Sequence, residues 1–488
     1  MDYFRHKDGR LWCEEVPLDR LAEEVGTPAY VYSRRTILEH VEKLKTAFAA
    51  LDPLVCFALK ANGNLAVLDL VRRAGAGFDV VSGGELRRVL SVGAKPNTIV
   101  FAGVGKTVAE MEAALRARIL GFNVESEEEV EVLAAVAARL GVCGGVLIRL
   151  NPDVDPKTHT YISTGKKESK FGVDIERGEA LARRVLELPS LELRGLQCHI
   201  GSQITTVEPY AESLAKTVAL ADRLRPSAPS LRLVDMGGGF GIYYKDASAP
   251  SIEAYAKAVT PILTGKGYRL ILEPGRVIVG NAGVLLTRVL YRKTSGDKRF
   301  VIVDAGMNDL IRPSLYGSHH RIWPVVGAPP PELGTDPDLP LHDIVGPVCE
   351  SGDFLAKDRP FPPDVKAGDL LAVMSAGAYG FVMTSQYNAR PRPPEVLVHG
   401  DRFAIARRRE TFDDLVRGEE PTPTLRRLGS KGHAVRKQKI DRTSSKTRGR
   451  GTKPERKAAR RVAAKATKGS RTTIRPPERG TNPTKKKK

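Results

Sequence analysis

The sequence is poor in the features that mark secreted, metal-binding and membrane proteins. Its 488 residues include five cysteines, none in a C-x-x-C spacing, so neither a zinc site nor a disulfide framework is predicted. No apolar run approaches the roughly 20 residues that cross a bilayer, and residues 1–5 do not resemble the start of a signal peptide. These absences predict a cytoplasmic protein with reduced thiols, no metal and no membrane partner. The cysteines are Cys13, Cys56, Cys143, Cys198 and Cys349.

The positive charge is confined to the C-terminal end of the chain. Residues 421–488 contain 24 Lys or Arg, three acidic residues and no aromatic residue, which gives this segment a net charge of +21. Because the whole chain carries +20, residues 1–420 carry −1. This composition predicts a disordered Lys/Arg-rich tail over 421–488, attached to a near-neutral globular body with enough apolar residues for two or three domains.

Apolar runs and helical patterns alternate through the first half of the chain. From Arg34 onward, eight short apolar runs are each followed by enough chain for a crossover helix. A closed (β/α)8 barrel of the TIM type requires eight such units, whereas an open doubly wound sheet usually needs fewer. We therefore predict an α/β fold with a barrel over residues 34–277. The predicted strands are 54–59, 78–81, 98–102, 119–124, 146–150, 193–199, 231–236 and 268–272.

Beyond residue 277 the helical pattern gives way to β-rich segments separated by prolines. These segments predict a mostly β second domain made of residues 1–33 and 278–420. Residues 1–33 are expected to be short extended pieces, with a strand at 28–32 that ends at Ser33, a helix cap. The clearest strand candidates of the second domain are 284–291, 300–304, 370–374 and 395–399.

Reactive side chains follow four of the predicted barrel strands. Loops after the strands of a barrel share one face, so these residues are expected to lie together. By itself Lys60 is typical of a strand that ends in solvent, and the other three turns make a catalytic amine the better interpretation. The turns are Lys60 after the first strand, 199–203 (His-Ile-Gly-Ser-Gln) after the sixth, 237–241 (Gly-Gly-Gly-Phe-Gly) after the seventh and 273–276 (Glu-Pro-Gly-Arg) after the eighth.

An amine opposite a glycine-lined phosphate cradle can hold pyridoxal 5′-phosphate at both ends. The backbone N–H groups of residues 237–239 can bind a phosphate, although glycines also serve turns and close packing. Glu273 is the candidate partner of the ring nitrogen, because a carboxylate favours its protonated form. His199 is a candidate stacking platform for the ring, and Ser202 a candidate donor to the phosphate.

The predicted β domain contributes a second group of reactive residues. Arg312 can bind a carboxylate bidentately, which suits an amino-acid substrate. Cys349 next to Glu350 could deliver a proton to a carbanion, although an isolated cysteine is more often a small buried hydrophobe. Tyr316 and Tyr379 stand in short glycine-containing motifs of the same region.

Together these motifs resemble those of diaminopimelate decarboxylases, which are pyridoxal-phosphate enzymes of the alanine-racemase-like class, fold type III. The resemblance covers about residues 1–417, and its motifs occur in order. It implies decarboxylation of meso-2,6-diaminopimelate to L-lysine and CO2, the last step of lysine biosynthesis through diaminopimelate. It also implies a homodimer with shared active sites. The motifs that carry it are 58–62, 199–203, 237–241, 273–276 and 349–353.

The resemblance implies a role for each matching residue. The lysine matching Lys60 forms a Schiff base with the cofactor, and the histidine matching His199 stacks on its ring. The cysteine matching Cys349 is the proton donor and reaches the site from the partner subunit. The implied catalytic residues are Lys60, Cys349 and His199; the cofactor-binding residues Lys60, His199, Ser202, Gly237, Gly238, Gly239, Glu273, Gly275, Arg276 and Tyr379; and the substrate-binding residues Arg276, Arg312, Tyr316, Glu350 and Tyr379.

Ornithine, arginine and carboxynorspermidine decarboxylases share this architecture and are the alternatives. Diaminopimelate carries a second amino-acid head, so its site needs cations for a distal carboxylate and an acid for a distal ammonium. Arg276 and Arg312 with Glu350 supply both signs. Enzymes acting on ornithine resemble one another in having aspartate after the cysteine, where this chain has Glu350. A segment from His159 to Gly172 also resembles the diaminopimelate enzymes.

The basic tail has no counterpart in that family, and its role stays open. It could bind nucleic acid weakly through phosphates, without aromatic residues on which bases could stack. It could instead be a disordered solubilising extension or the product of a frameshift. A different class of function, a non-catalytic nucleic-acid-associated protein with a vestigial barrel, is disfavoured by the intact set of Lys60, His199, Glu273 and Cys349.

Overall fold

In the computed structural model, eight parallel strands close into a barrel. Each strand pairs with the next along the chain, and the eighth pairs back with the first, so the barrel has no open edge. The predicted (β/α)8 barrel is confirmed, with strand ends within two residues of those expected. The barrel strands are Leu54–Ala58, Gly77–Val80, Ile99–Phe101, Gly121–Val124, Gly144–Asn151, Leu191–Cys198, Leu233–Asp235 and Arg269–Leu272.

Helices cover the outside of the barrel and begin at polar caps. The side chain of Ser33, for example, accepts the Thr36 N–H at the start of the first of them, as predicted for this residue. Asn64, Ser82 and Thr107 cap the next three helices in the same way. The helices are Arg34–Ala47, Leu65–Arg73, Gly83–Ser91, Val108–Ala117, Glu127–Leu140, Ile175–Leu186, Glu208–Leu224, Ile252–Leu263 and Arg276–Val279.

Burial on both faces explains why the barrel strands are nearly continuous apolar runs in the sequence. Four polar residues interrupt these runs near the C-terminal ends of the strands, and all four are at most 1% exposed. A buried polar group needs hydrogen-bond partners, so these positions mark the functional end of the barrel. They are Asp79, Asn123, Gln197 and Asp235.

A second, mostly β sheet is built from segments far apart in the sequence. The strand Ala29–Ser33 lies between Gly283–Ser295, with which it runs antiparallel, and Glu395–His399, with which it runs parallel. The predicted mostly β region beside the barrel is confirmed. Its further strands are Lys298–Val303, Ile322–Pro324, Leu341–Val345, Phe354–Pro360, Leu370–Val373 and Arg402–Arg407, with short helices at Arg312–Tyr316 and Phe412–Leu415.

The N-terminal residues correct one expectation. Residues 18–25, predicted to be extended, form the helix Leu18–Val25, which follows three short strands at Phe4–Lys7, Arg10–Cys13 and Val16–Pro17. Leu18, Leu21 and Ala22 are buried at helical spacing and pack in one apolar cluster with the strand Arg10–Cys13. Packing of this apolar face, rather than local composition, decides the helix.

The structure describes residues 3–155, 170–244, 249–327, 339–423 and 425. The motif around His159 and nearly all of the basic tail lie outside these ranges, so the predictions made for them are not tested. Within them, no helix is long and apolar enough to cross a membrane. The same residues include no group of three or more His, Cys, Asp or Glu placed to hold a metal ion.

Candidate active site

A cavity of about 660 Å³ lies where the barrel strands end. Eight of the predicted site residues line it, although they come from distant parts of the chain. A smaller cavity of about 40 Å³ continues from it and adds Gly238, Gly239 and Gly275. The predicted residues that line the main cavity are Lys60, His199, Ser202, Glu273, Arg276, Arg312, Tyr316 and Tyr379.

The amine of Lys60 is held in place by a buried carboxylate. Lys60 stands in a single helical turn, Leu59–Ala61, directly after the first strand. Its Nζ donates to Asp79 Oδ2 at 2.8 Å, and Asp79 is fully buried on the second strand. Burial alone would lower the pKa of Lys60, but the charge of Asp79, with Tyr379 and Glu273, more than offsets it, so the pKa is raised. Lys60 is therefore an ammonium in this structure.

His199 is a neutral imidazole. It follows the sixth strand, and its Nδ1 accepts the N–H of Gly238 at 3.2 Å, which places the ring proton on Nε2. Burial, followed by the charges of Arg149 and Lys60, lowers its pKa well below the usual value. An uncharged ring lining the cavity suits a stacking contact with another aromatic ring.

Glu273 is a buried carboxylate that accepts hydrogen bonds from two side-chain amides. It follows the eighth strand and is 5% exposed. Its Oε1 accepts from Asn123 Nδ2 at 2.8 Å and its Oε2 from Gln197 Nε2 at 3.1 Å. Burial and the nearby charge of Asp79 raise its pKa, while Lys60 opposes the rise. A cation or protonated ring nitrogen beside Glu273 would be strongly favoured.

The glycine run brings three loops into contact. A Cβ at Gly238 would lie 2.1 Å from the carbonyl oxygen of Glu273, and one at Gly239 would lie 2.2 Å from that of Gly201. Gly237 has φ +68° and leaves no room for a Cβ beside His199. Among the described residues, the N–H groups of Gly239 and Gly275 have no acceptor. Free N–H groups facing a small cavity fit a phosphate.

One part of the cavity, which Arg276 and Arg312 line, is cationic. Arg276 and Arg312 both donate to the hydroxyl of Tyr244, at 2.7 and 2.9 Å. Burial by itself raises the pKa of Tyr244, but the two guanidinium groups lower it below its usual value. Arg276 also donates to Ser202 Oγ at 3.1 Å. Within the described residues, Glu273 is the one acidic residue that lines this cavity.

Tyr379 connects the β region to the lysine turn. Its N–H donates to the carbonyl of Ala61 at 2.8 Å, and its backbone has φ +54°. The guanidinium of Arg276 lies 4.8 Å from the centre of its ring. This contact joins Tyr379 and Arg276 in one wall of the cavity, which Lys60 also lines.

Cys349 and Glu350 are not among the residues that line the cavity. Cys349 is exposed on a loop, where its N–H donates to Asn388 Oδ1 at 2.7 Å. The loop is held by buried Asp353, whose oxygens accept the N–H groups of Met307 and Val348. The structure of one chain therefore gathers every predicted site residue except this pair.

Sequence reasoning missed five residues of the site. The partners of Lys60 and Glu273 are single polar residues within apolar strands, and that interruption is the signal that could have found them. Tyr244 lies outside regular structure, three residues beyond the glycine run, and carries no such signal. The missed residues are Asp79, Asn123, Arg149, Gln197 and Tyr244.

Comparison with known proteins places the chain in a family. The profile of the family described as pyridoxal-dependent decarboxylase, pyridoxal binding domain, matches residues 34–280. The diaminopimelate decarboxylase of Pseudomonas aeruginosa is 51% identical, over 87% of this chain and 100% of that one. The chain belongs to the diaminopimelate decarboxylase family. The family's enzyme from Vibrio cholerae is 47% identical, over 85% of this chain and 98% of that one.

Solved structures of the family have the same fold. The diaminopimelate decarboxylase of Helicobacter pylori, complexed with L-lysine, is 41% identical with a TM-score of 0.78, covering 82% of this chain and 98% of that one. The enzyme from M. jannaschii, also in complex with L-lysine, is 36% identical with a TM-score of 0.80, covering 86% and 98%. A lysine/ornithine decarboxylase of Vibrio vulnificus is only 21% identical and supports the fold alone.

Pyridoxal phosphate is the cofactor of this decarboxylase family, and the cavity fits it. Lys60 and Glu273 line both cavities, and Gly239 and Gly275, whose N–H groups are free within the described part of the chain, line the smaller one. The amine, the carboxylate and these N–H groups each match a different part of the cofactor: the aldehyde, the ring nitrogen and the phosphate. The predicted cofactor is confirmed.

Replacing Asp79 should change the pH at which Lys60 reacts. Asp79 favours the charged amine, so Asp79→Asn should lower the pKa of Lys60 and enlarge its neutral fraction at a given pH. The rate at which the cofactor-free protein gains the visible band of lysine-bound cofactor should then follow a profile shifted to lower pH by about one unit or more. Asp69→Asn, which removes a half-buried partner of Arg72, is the control. An unshifted profile for Asp79→Asn would contradict this role.

Proposed function

We propose that this protein is a carboxy-lyase that converts meso-2,6-diaminopimelate to L-lysine and CO2. The observation that carries the proposal is the cationic part of the cavity that Lys60 also lines. Two guanidinium groups, those of Arg276 and Arg312, converge there on one hydroxyl oxygen. Both arginines donate to a neutral hydroxyl group, and a site with two such guanidinium groups attracts a carboxylate.

A distal carboxylate separates the candidate substrates. Diaminopimelate has a second carboxylate that can reach the arginines after the first is placed at the cofactor. Ornithine and arginine present only a cationic end there, which two guanidinium groups would repel. The complexes of relatives with L-lysine agree, since lysine retains the carboxylate that is not removed.

The residues around the cofactor have distinct proposed tasks. Pyridoxal phosphate, when bound, supplies an electron sink for the charge left at Cα as CO2 departs. Glu273 keeps the ring nitrogen protonated, and neutral His199 covers one face of the ring. Ser202 and the N–H groups of Gly239 and Gly275 hold the phosphate. Lys60 provides the amine that anchors the cofactor and is released to substrate.

Changing Arg312 should affect diaminopimelate selectively. With meso-diaminopimelate, ornithine and arginine offered in parallel, we expect CO2 release and L-lysine from the first alone. Arg312→Met should raise KM for diaminopimelate about 30-fold or more, because its carboxylate loses a charge-assisted hydrogen bond. Arg299→Met, at an exposed arginine, should leave KM unchanged. If ornithine or arginine were turned over equally well, the protein would be one of the related decarboxylases. If the holoprotein were inert towards all three amino acids, the barrel would be vestigial.

We also propose a homodimer in which each site is completed by the partner subunit. Cys349 and Glu350 are the predicted proton donor and ammonium-binding acid, yet neither lines the cavity of its own chain. Both are exposed on a loop braced by buried Asp353, which suits insertion into a second copy. The Cys349 thiol would then deliver a proton to Cα after CO2 leaves.

Mixed dimers should test the shared site. Lys60→Ala and Cys349→Ala should each be impaired as pure proteins, the latter retaining its cofactor. Co-expression should restore about a quarter of the wild-type kcat, because half of the dimers are mixed and each contains one complete site. Isolating the mixed dimer by two different affinity tags makes the measurement direct. No recovery in isolated mixed dimers would contradict a site shared between subunits.

We keep the proposed division into a cofactor-binding barrel at 34–277, a β-rich domain of 1–33 and 278–420, and a tail of 421–488. The cysteines support a cytoplasmic location, since all five are free thiols. For the tail we propose weak, nonspecific binding to polyanions, supported by its net charge of +21 and its lack of aromatic residues.

Binding by the tail should be strongly salt-dependent. If it contacts about six to ten phosphates, affinity for duplex DNA should fall about a thousandfold or more between about 50 and 200 mM salt, because counterions are released on binding. A chain that ends at Glu420 is the control and should not bind. Binding that is insensitive to salt, or selective for one DNA sequence, would contradict the proposal.

A further inference from the structure

Three buried carboxyl groups share the interior of the barrel, and the cations there balance only one of them. Asp79 and Asp235 are fully buried and Glu273 is 5% exposed. Lys60 is bonded to Asp79, as described above. Arg149, another of the cations that line the cavity, is paired with Glu125 at 3.1 Å. In the described ranges of the chain, Asp235 and Glu273 form no ion pair with a cation.

The two thiols that face the pair contribute no charge. Cys56 and Cys198, on the first and sixth strands, are buried. Burial raises the pKa of Cys56 well above its usual value, and that of Cys198 to about 11. Any proton that relieves the repulsion between the two carboxyl groups must therefore lie on one of them.

The hydrogen bonds of Glu273 identify it as the ionised member. Both of its oxygens accept an amide N–H, one from Asn123 and one from Gln197. Both amides turn their donors towards Glu273, although this leaves their own oxygens without a donor among the described residues. Such a shell stabilises a carboxylate rather than a carboxylic acid.

Only one of the two oxygens of Asp235 accepts a hydrogen bond from the described residues, which is unfavourable for a buried, ionised carboxylate. Its Oδ1 accepts the N–H of Gly237 at 2.8 Å. Its Oδ2 is buried and has no hydrogen-bond partner in the part of the chain that the structure describes. Glu273 follows the neighbouring strand, which pairs with that of Asp235, and its N–H donates to the carbonyl of Gly237 at 2.8 Å. Two carboxyl groups can bond to each other only if one carries a proton. Burial, and then the charge of Glu273, raises the pKa of Asp235 well above its usual value.

We propose that Asp235 is a positioning residue that carries a proton and donates it in a hydrogen bond to Glu273, which keeps Glu273 ionised towards the cofactor ring. This rests on the role proposed above for Glu273. The proton stays on Asp235 Oδ2 throughout, so no bond is made or broken. Asp235 touches neither cofactor nor substrate; it acts by holding the charge and orientation of Glu273, while its other oxygen fixes the start of the glycine turn.

Two substitutions separate a neutral Asp235 from an ionised one. Asparagine can accept from Gly237 with its oxygen and donate to Glu273 with its NH2, so Asp235→Asn reproduces the protonated acid. Its Kd for pyridoxal phosphate should stay within about threefold of wild type, whereas Asp235→Ala should weaken binding about 10- to 100-fold. If a negative charge at Asp235 were required, Asp235→Asn would instead bind pyridoxal phosphate as weakly as Asp235→Ala.

Infrared spectroscopy of the wild-type holoprotein locates the proton without any substitution. At about pH 9, Asp309, another buried acid whose pKa is raised to about 7, is ionised. We expect a carbonyl band of a protonated acid to persist at that pH and to shift when aspartate carboxyl groups are labelled with ¹³C. Asp235→Asn should remove the band, an effect that a purely structural role would not produce.

The proposal is overturned if wild-type protein has no such band, or if the band shifts with labelled glutamate rather than aspartate. Equal loss of cofactor affinity in Asp235→Asn and Asp235→Ala would overturn it as well. None of these measurements uses a substrate. Failure to decarboxylate diaminopimelate would therefore contradict the proposed function. The infrared band and the cofactor affinities would still show whether Asp235 carries a proton.

Discussion

A negative charge inside an apolar barrel is the constraint on which this site depends. An unpaired buried carboxylate costs several kcal/mol, so Glu273 persists only because donors surround it. Asn123 and Gln197 come from the fourth and sixth strands and meet at its two oxygens. Two of the polar residues that interrupt apolar strands are therefore explained by the charge of Glu273. A protonated ring nitrogen beside Glu273 would satisfy that charge further and would couple cofactor binding to the stability of the barrel interior.

Close backbone approach is the second requirement, and it follows from the position of Glu273. The loops after the sixth, seventh and eighth strands pack so tightly that side chains at Gly238 and Gly239 would meet carbonyl oxygens. The same absence of side chains leaves N–H groups free to face a phosphate. The turn is thus required for packing, and in the proposed function it also contributes to phosphate binding, so a substitution there would disturb both.

The site is divided between the two regions of the fold. The barrel provides the lysine, the histidine and the glycine turn, while the β region provides Arg312, Tyr316 and Tyr379. Backbone contacts join them: Tyr379 N–H donates to Ala61, and the Asn62 side chain donates to Gly377. Because these bonds lie next to Lys60, they join the β region, which carries Arg312, to the turn that carries the amine.

Much of the architecture could be read from the sequence because its signals are local. Strands buried on both faces must be apolar, and a crossover helix must separate parallel neighbours, so eight such units predicted the closed barrel. The rule that strand ends share one face then groups Lys60, His199 and Glu273 from their positions in the sequence alone. The helix Leu18–Val25 escaped prediction because a two-turn segment has few positions on which to show its period.

The chemical identity of the site was determined by the sequence: which side chains follow which strands, and hence an amine, an imidazole, a carboxylate and a glycine turn on one face. Their charge states were decided only by tertiary structure. The Lys60 ammonium, the neutral His199 and the raised pKa of Asp235 depend on distances and burial. Electrostatic energies between residues far apart in the chain exist only once folding has brought them together in a medium of low dielectric constant.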